Sequence, residues 1–265
     1  MRNIDRLLHK AIIAGKEEQA RHLVGEGALP LARNSFGFTA SEMAHFMGVA
    51  LEPTEPLQIK FQGRDEPSVR ILSCEEFRNV TGVTYLSHLQ FENYKVFKRV
   101  LRQCPWLLKY TSLGRQHKWF GALYGKEVYE GKVADASIRW IDEEIGYGLF
   151  AEKELPPQSF VGAYTGILRQ WHRFSPNHNE YCFHYPTGFW RMRIFMIDAE
   201  ETGNITRFVN HSADGNLEPV ALLDRGLLHV FFKTARTIEV GEQMTVNYGP
   251  DYWRRRQNLK PLITK

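Results

Sequence analysis

Two stretches of the chain concentrate groups that could do chemistry. The first, Gly146-Tyr147-Gly148-Leu149-Phe150-Ala151, has the form G-x-G-x-x-A of a dinucleotide-binding turn. Such a turn must open a helix whose N-terminus holds pyrophosphate. Pro156-Pro157 follow almost at once and would stop that helix, and no acidic residue stands near 168–170 to hold a ribose. The glycines predict instead a tight loop whose backbone can approach a ligand closely. The second stretch is Arg207-Phe208-Val209-Asn210-His211-Ser212. It sets an amide, with one donor group and one acceptor, beside an imidazole, a pairing able to anchor a small polar head group. Taken alone, Asn-His-Ser is an ordinary polar turn.

The order of further segments gives these two a meaning. Tyr164-Thr165-Gly166 follows the first, and Ile197-Asp198-Ala199 with Gly203-Asn204 leads into the second. Asn216-Leu217-Glu218-Pro219 comes next, then Gly241-Glu242-Gln243-Met244-Thr245-Val246-Asn247-Tyr248-Gly249. In this order the segments resemble the SET-domain family, whose hallmark R-F-x-N-H-S is complete at 207–212. The resemblance covers roughly 134–250. It implies a threaded pseudoknot that brings Asn210 and His211 beside Tyr248, an arrangement rare in proteins generally.

By resemblance, the protein transfers a methyl group from S-adenosylmethionine to a lysine side chain. Gly146, Tyr147, Gly148, Arg207, Asn210, His211, Tyr248 and Trp253 are then expected to hold the cofactor. Arg207 could equally serve as a structural ion-pair partner. An unperturbed lysine has a pKa of about 10.4 and must be neutral to attack. A narrow apolar channel and a nearby cation both disfavour the ammonium, so no strong general base is required. Alignment then does much of the catalysis. Tyr248 is expected to orient the amine, and Tyr181 matches the family's channel tyrosine, with an ordinary packed aromatic as the alternative. In the family the residue two before the last motif's tyrosine often tunes how many methyls are added; here it is Val246, too small to hold a water, which implies room for a dimethyl or trimethyl product unless a tyrosine elsewhere in the wall replaces the missing hydroxyl.

The chain departs from many histone-methylating relatives in one respect. Where they carry cysteine after Asn-His-Ser, Ala213 stands here, and no cysteine follows Cys182. No zinc-closed site is therefore expected, and no metal. Tyr252 and Trp253 are candidates to cover the cofactor instead, since an aromatic face can stack on adenine. His172, His178 and His184 fit no metal-binding spacing.

The elements that must position these residues are short. Ser137–Ile141, Ser159–Tyr164, Arg193–Ile197, Leu227–Lys233 and Met244–Tyr248 read as strands between Gly and Pro punctuation. Upstream, Leu8-His9-Lys10-Ala11 and Thr39-Ala40-Ser41-Glu42-Met43-Ala44 recur with a 33-residue period, and Gly15 and Gly48 recur with the same step. That is the ankyrin period, although a generic helical hairpin would also fit. Fewer than about three repeats cannot bury a core alone, so this piece must pack on the rest. Gln58–Phe61 reads as a strand and Phe91–Leu108 as an amphipathic helix, disturbed by Pro105. The expected fold is α+β: a β-rich SET domain of short curled sheets with a pseudoknot, preceded by a small helical ankyrin-like region. Residues 1–52 are assigned to the repeats, 53–131 to a connector with a helix packed on the SET domain, 132–250 to that domain, and 251–265 to a tail covering the cofactor site.

At 43% hydrophobic and 24% charged, the chain is ordinary globular material rather than disordered. Its formal net charge of +4 is mild, and the densest basic run, Arg254-Arg255-Arg256, reads as a solvated tail. Direct nucleic-acid binding is not expected. Three cysteines without ligand spacing, no signal-peptide core and no bilayer-length apolar run suggest a soluble, intracellular protein with no membrane partner. The partner implied is a protein presenting a lysine, such as a histone. An ankyrin-like head without zinc modules suggests a microbial protein acting on its own basic protein or on a host histone, either secreted into a host cell or nuclear. The competing readings are a non-enzymatic ankyrin-like adaptor with a degenerate SET fold and an NAD-dependent oxidoreductase.

Overall fold

In the computed structural model the described residues are 1–51, 57–109, 113–171, 179–185, 194–250 and 252. The chain opens with three helices, α1 (Asn3–Ile13), α2 (Glu17–Gly25) and α3 (Ala40–Met47). Local chemistry sets their ends. Thr39 accepts from the Glu42 N–H while Glu42 reaches back to the Thr39 N–H, a reciprocal cap on α3. Asp5, buried in α1, accepts from Arg2 and from the Leu29 N–H, and so ties the turn after α2 to the first helix. Leu8, Ala11, Ile12, Ala20 and Leu23 fill the seam between the helices.

Next come β1 (Ile59–Gln62), β2 (Arg70–Leu72), α4 (Cys74–Thr81), β3 (Thr84–Tyr85), β4 (Gln90–Phe91), α5 (Tyr94–Lys109) and α6 (Leu113–Tyr129). The expected helix over Phe91–Leu108 therefore starts later. Phe91 pairs with Leu168 in a parallel ladder, and the Asn93 side chain caps the helix by accepting from the Val96 N–H at 3.0 Å. The helix runs on through Pro105, whose missing N–H leaves one rung unmade. The second long helix, α6, is not among the elements expected from the sequence.

The strands that follow are β5 (Ala136–Asp142), β6 (Gly146–Ala151), β7 (Phe160–Ala163), β8 (Ile167–Trp171), β9 (Cys182–Tyr185), β10 (Ile194–Asp198), β11 (Thr202–Gly203), β12 (Asn210–His211), β13 (Leu217–Asp224), β14 (Leu227–Thr234) and β15 (Gln243–Val246). A short 3-10 turn, Ile205–Phe208, precedes β12. Among the described residues they form three sheets. The largest runs β2-β1-β5-β6-β15-β13-β14-β7, with β12 also on β15. The second runs β4-β8-β10-β9, and β11 pairs with β3. The fold is mixed α+β, in sheets rather than a barrel.

Strand β15 is late in sequence but central in space. It is antiparallel to β6 and parallel to both β12 and β13. The segment between β12 and β13 lies directly against it. Ser212 N–H donates to Val246 O (3.2 Å), Thr245 N–H to Asn216 Oδ1 (2.9 Å), and Asn216 Nδ2 to Gln243 O (2.8 Å). A Cβ on Gly215 would fall 2.8 Å from both Asn247 N and Val246 Cα, so only glycine lets the two backbones cross here.

The N-terminal helices share one continuous core with these strands, from Leu8 to Val246. Phe46 of α3 packs edge-on to Phe91 at 5.6 Å and leans on Phe97 at 5.8 Å. Arg225, at the β13–β14 turn, grips Glu42 with two bonds of 2.8 and 2.9 Å and lies over the Phe38 ring. On the opposite side, Phe120 and Val128 of α6 pack on Val220, Leu222 and Phe231. All eight residues of β14 are buried as a result.

Candidate active site

The first part of the site is built by the β5–β6 hairpin. Asp142 Oδ1 accepts from the N–H groups of Glu144 (2.9 Å) and Ile145 (2.7 Å), which closes the turn. The chain then enters Gly146 at φ +76°, a conformation that favours glycine. Tyr147 stands edge-on to Trp140 at 5.2 Å and packs against Phe61 at 5.0 Å, with Phe208 at 6.4 Å. Burial raises its hydroxyl above the ordinary tyrosine range. At Gly148 an added Cβ would lie 2.6 Å from Ile141 Cδ1, 2.7 Å from Gln243 Nε2 and 3.2 Å from Asn210 Nδ2. Glycine thus leaves the gap through which Asn210 reaches over the strand. Its Nδ2 donates to the Tyr147 carbonyl at 3.0 Å.

Asn210 and His211 are held opposite Thr245 and Val246 by the β12–β15 ladder. The chain leaving β15 returns past the imidazole, and the Tyr248 N–H donates to His211 Nδ1 at 3.2 Å. In the neutral ring the proton is therefore on Nε2. The two rings sit 5.3 Å apart. Tyr248 donates its hydroxyl proton to the Val209 carbonyl at 2.9 Å. Tyr252 packs on Tyr248 with ring centroids 4.5 Å apart.

A second group adjoins the first. Tyr181 is held at both ends of its peptide unit: its N–H donates to Asn179 Oδ1 (2.9 Å) and its carbonyl accepts from the Tyr164 hydroxyl (2.7 Å). Arg207 lies over the Tyr181 ring at 3.6 Å. Its Nε donates to Ala199 O (2.6 Å) and its Nη2 to Glu200 O (3.0 Å). Tyr164 is buried, and burial above all, then the neighbouring Tyr248, pushes its hydroxyl far above the usual range. It therefore stays a neutral donor.

Of the residues expected to act, Gly146, Tyr147, Gly148, Asn210, His211 and Tyr248 gather where β6, β12 and β15 meet. Tyr181 and Arg207 meet each other in the adjoining group, and Arg207 contacts carbonyls rather than the carboxylate of an ion pair. Trp253 and the rest of the tail apart from Tyr252 lie outside the described residues, as do His172 and His178, while His184 is exposed on β9. Sequence reasoning passed over Tyr164 and Asn179. Tyr164 stood in a quoted motif without a role. Asn179 precedes Tyr181 by two positions, the spacing of a side chain that turns back on the backbone. No group of three or more His, Cys, Asp or Glu among the described residues is arranged to hold a metal. No described helix is long and apolar enough to cross a membrane.

Residues 146–249 match the SET domain family. The human histone-lysine N-methyltransferase SETD2 is 32% identical over 111 residues, covering 41% of this chain and 4% of that protein. Human EHMT1, another histone-lysine N-methyltransferase, is 30% identical over 115 residues, covering 42% of this chain and 9% of its own. EZH2 of Chaetomium thermophilum is 32% identical over 118 residues, covering 42% and 8%. The chain thus spans under a tenth of the length of these relatives. Among solved structures, KRYPTONITE in complex with mCHH DNA, an H3(1–15) peptide and SAH is 29% identical over 43% of this chain and 23% of that one, at a TM-score of 0.37.

Proposed function

We propose that the SET domain at residues 146–249 makes this chain an S-adenosylmethionine-dependent protein-lysine N-methyltransferase, acting on a histone or another basic protein. The observation that carries the reading is the convergence of the Gly146–Gly148 loop, Asn210, His211 and Tyr248 on one junction of strands. The relatives matched over this region are histone-lysine N-methyltransferases, which supports the same activity and substrate class.

The residues present fit the donor. At Gly146 the space a Cβ would take is open, with nothing within 4 Å, so a ligand can lie against the backbone. Asn210 Nδ2 is engaged by Tyr147, which directs its Oδ1 to accept from an ammonium group. The Tyr248 N–H sets the tautomer of His211 and turns its ring toward the chain leaving β15. The donor, when bound, supplies an electrophilic methyl group on a cationic sulfur. Tyr248 would accept from the substrate amine and align its lone pair, because its own proton is directed to Val209. The buried Tyr164 and the half-buried Tyr181 would wall the path to it, and an apolar wall there would strip water from the amine and favour its neutral form.

Residues 1–50 we read as ankyrin-like. Ala11 of α1 and Ala44 of α3, one repeat apart, are both buried, and His9 Nε2 contacts the Ala32 carbonyl at 2.9 Å, bridging one block to the loop before the next. Residues 53–131 would brace this piece on the SET domain. A histone substrate would place the protein in a nucleus, its own cell's or a host's.

The test is transfer of labelled methyl from S-adenosylmethionine to a panel of histones and a cell extract, with thermal melts beside it. A ligand that binds only the folded state raises the midpoint. Label on lysine and a shift with S-adenosylhomocysteine but not NAD are expected. No shift with either form of the cofactor and no label would refute the assignment.

A further inference from the structure

We propose that Arg207 is a positioning residue for Tyr181, clamping its ring and keeping a fixed positive charge behind the channel wall. The inference rests on the lysine-methyltransferase reading above. The guanidinium carbon is 3.6 Å from the Tyr181 ring centroid, at the close end of cation–π distances. It cannot easily slide, because Ala199 O and Glu200 O hold Nε and Nη2 at 2.6 and 3.0 Å. The same short segment holds the tyrosine backbone. Ala199 N–H donates to Tyr181 O at 3.3 Å, beside the Tyr164 hydroxyl at 2.7 Å. Asn179, which accepts from the Tyr181 N–H, is itself anchored on Asp198 Oδ1 (2.9 Å) and Glu200 Oε2 (3.1 Å). Tyr181 is thus fixed at its N–H, its carbonyl and its ring face.

The charge matters as much as the packing. The carboxylates of the segment that holds Arg207 are engaged elsewhere, Asp198 with Arg169 (3.1 Å) and Asn179, Glu200 with Asn179. Among the described residues, no carboxylate forms an ion pair with Arg207, and its charge faces an aromatic ring. A guanidinium stays protonated at any working pH. It takes up the electron-rich face of Tyr181, which could otherwise attract a lysine ammonium. It also opposes a second positive charge in the same channel. Arg207 would therefore favour the neutral amine. The other titratable and charged groups around this point are Asp198, Glu200 and Arg169, with Tyr164, Tyr248 and Cys182.

The experiment compares R207Q, which removes the charge, with R207K, which keeps it and loses the planar stack. Thermal melts establish that each is folded. With 3-fluorotyrosine placed at position 181, the fluorine resonance should move toward that of a solvent-exposed tyrosine in R207Q, and partly so in R207K. Affinity for S-adenosylhomocysteine should stay within about threefold of the parent in both, while kcat on a lysine peptide falls about tenfold or more. The rising limb of kcat/KM against pH should move up by about half a unit to one unit in R207Q and stay in place in R207K. Three results would overturn the proposal: an unmoved fluorine resonance in R207Q, cofactor affinity falling in step with turnover, or an identical pH limb in R207Q and the parent. If the parent neither binds S-adenosylhomocysteine nor methylates any lysine, the methyltransferase reading fails, and the fluorine comparison still decides whether Arg207 clamps Tyr181.

Discussion

Replacing Asn210 separates the two tasks this side chain performs. Its Nδ2 donates to the half-shielded Tyr147 carbonyl at 3.0 Å, and its Oδ1 is assigned to the donor's ammonium. Asn210→Ala removes both. The neutral bond is worth about 1 kcal/mol net, and a bond to a charged group about 1.5–3 kcal/mol. Folding should therefore weaken by about 1 kcal/mol, a fall in melting temperature of about 2–4 °C for a chain of this size. Affinity for S-adenosylmethionine should fall by about ten- to 150-fold. Asn210→Asp inverts the balance. It keeps an acceptor for the ammonium but sets an oxygen against the Tyr147 carbonyl. The aspartate variant should destabilise the fold at least as much as alanine, yet weaken binding less. Calorimetry with S-adenosylmethionine and S-adenosylhomocysteine, alongside melts of the free proteins, measures both quantities. An alanine variant that binds S-adenosylhomocysteine as tightly as the parent, or an aspartate variant that binds worse than alanine, would show that Asn210 does not meet the ammonium.

Four further outcomes are expected. Tyr248→Phe should cut kcat by at least tenfold and leave cofactor affinity nearly unchanged, and mass spectrometry of the parent's product should show more than one methyl if Val246 leaves the room it implies; full turnover in the variant or a strictly monomethyl product would contradict each in turn. Chelator treatment should leave activity intact, as Ala213 in place of a cysteine after Asn210-His211-Ser212 implies, and activity restored only by zinc would contradict this. Acid should loosen the seam between the N-terminal helices and the sheet. Burial pushes His88 and His229 down to about 4, with the stacked His45 adding to the effect at His88. The unfolded chain, with histidines near 6.5, takes up protons first as pH falls, so stability is full above about pH 6.5 and is lost progressively toward pH 4, by roughly 2–3 kcal/mol per histidine. Melting temperatures between pH 7.5 and 4.5 should fall steeply, and less steeply in His229→Gln; a flat profile would refute it.

The legible part of the site is the part made by the backbone. Gly146, through its positive φ, and Gly148, through close approach, each demand glycine, and such demands show in a single sequence. The strands at Ala136–Asp142, Leu227–Thr234 and Gln243–Val246 were readable for the same reason, since alternation or a solid apolar run marks a buried ladder. Helix α6 was not. It carries Gly121 and Gly125, both poor helix formers, and leaves Trp119 and Leu123 exposed, so its apolar period is blurred. It is held as a helix by its packing on β13 and β14 rather than by propensity.

Arg207 shows the limit more sharply. Its position in the R-F-x-N-H-S run marks it as fixed, yet nothing local says what it touches. Its partners are a ring 26 positions earlier in sequence and two carbonyls of a segment that also holds that ring's backbone. The same holds for Tyr248, whose partners His211 and Val209 are brought to it only because β15 lies beside β12. Insert or delete one residue between Gly241 and Tyr248, and the β15 register would slip, turning Val246 to the opposite face and carrying Tyr248 off His211. The motif would survive in the sequence almost unchanged, while the site it signals would be gone.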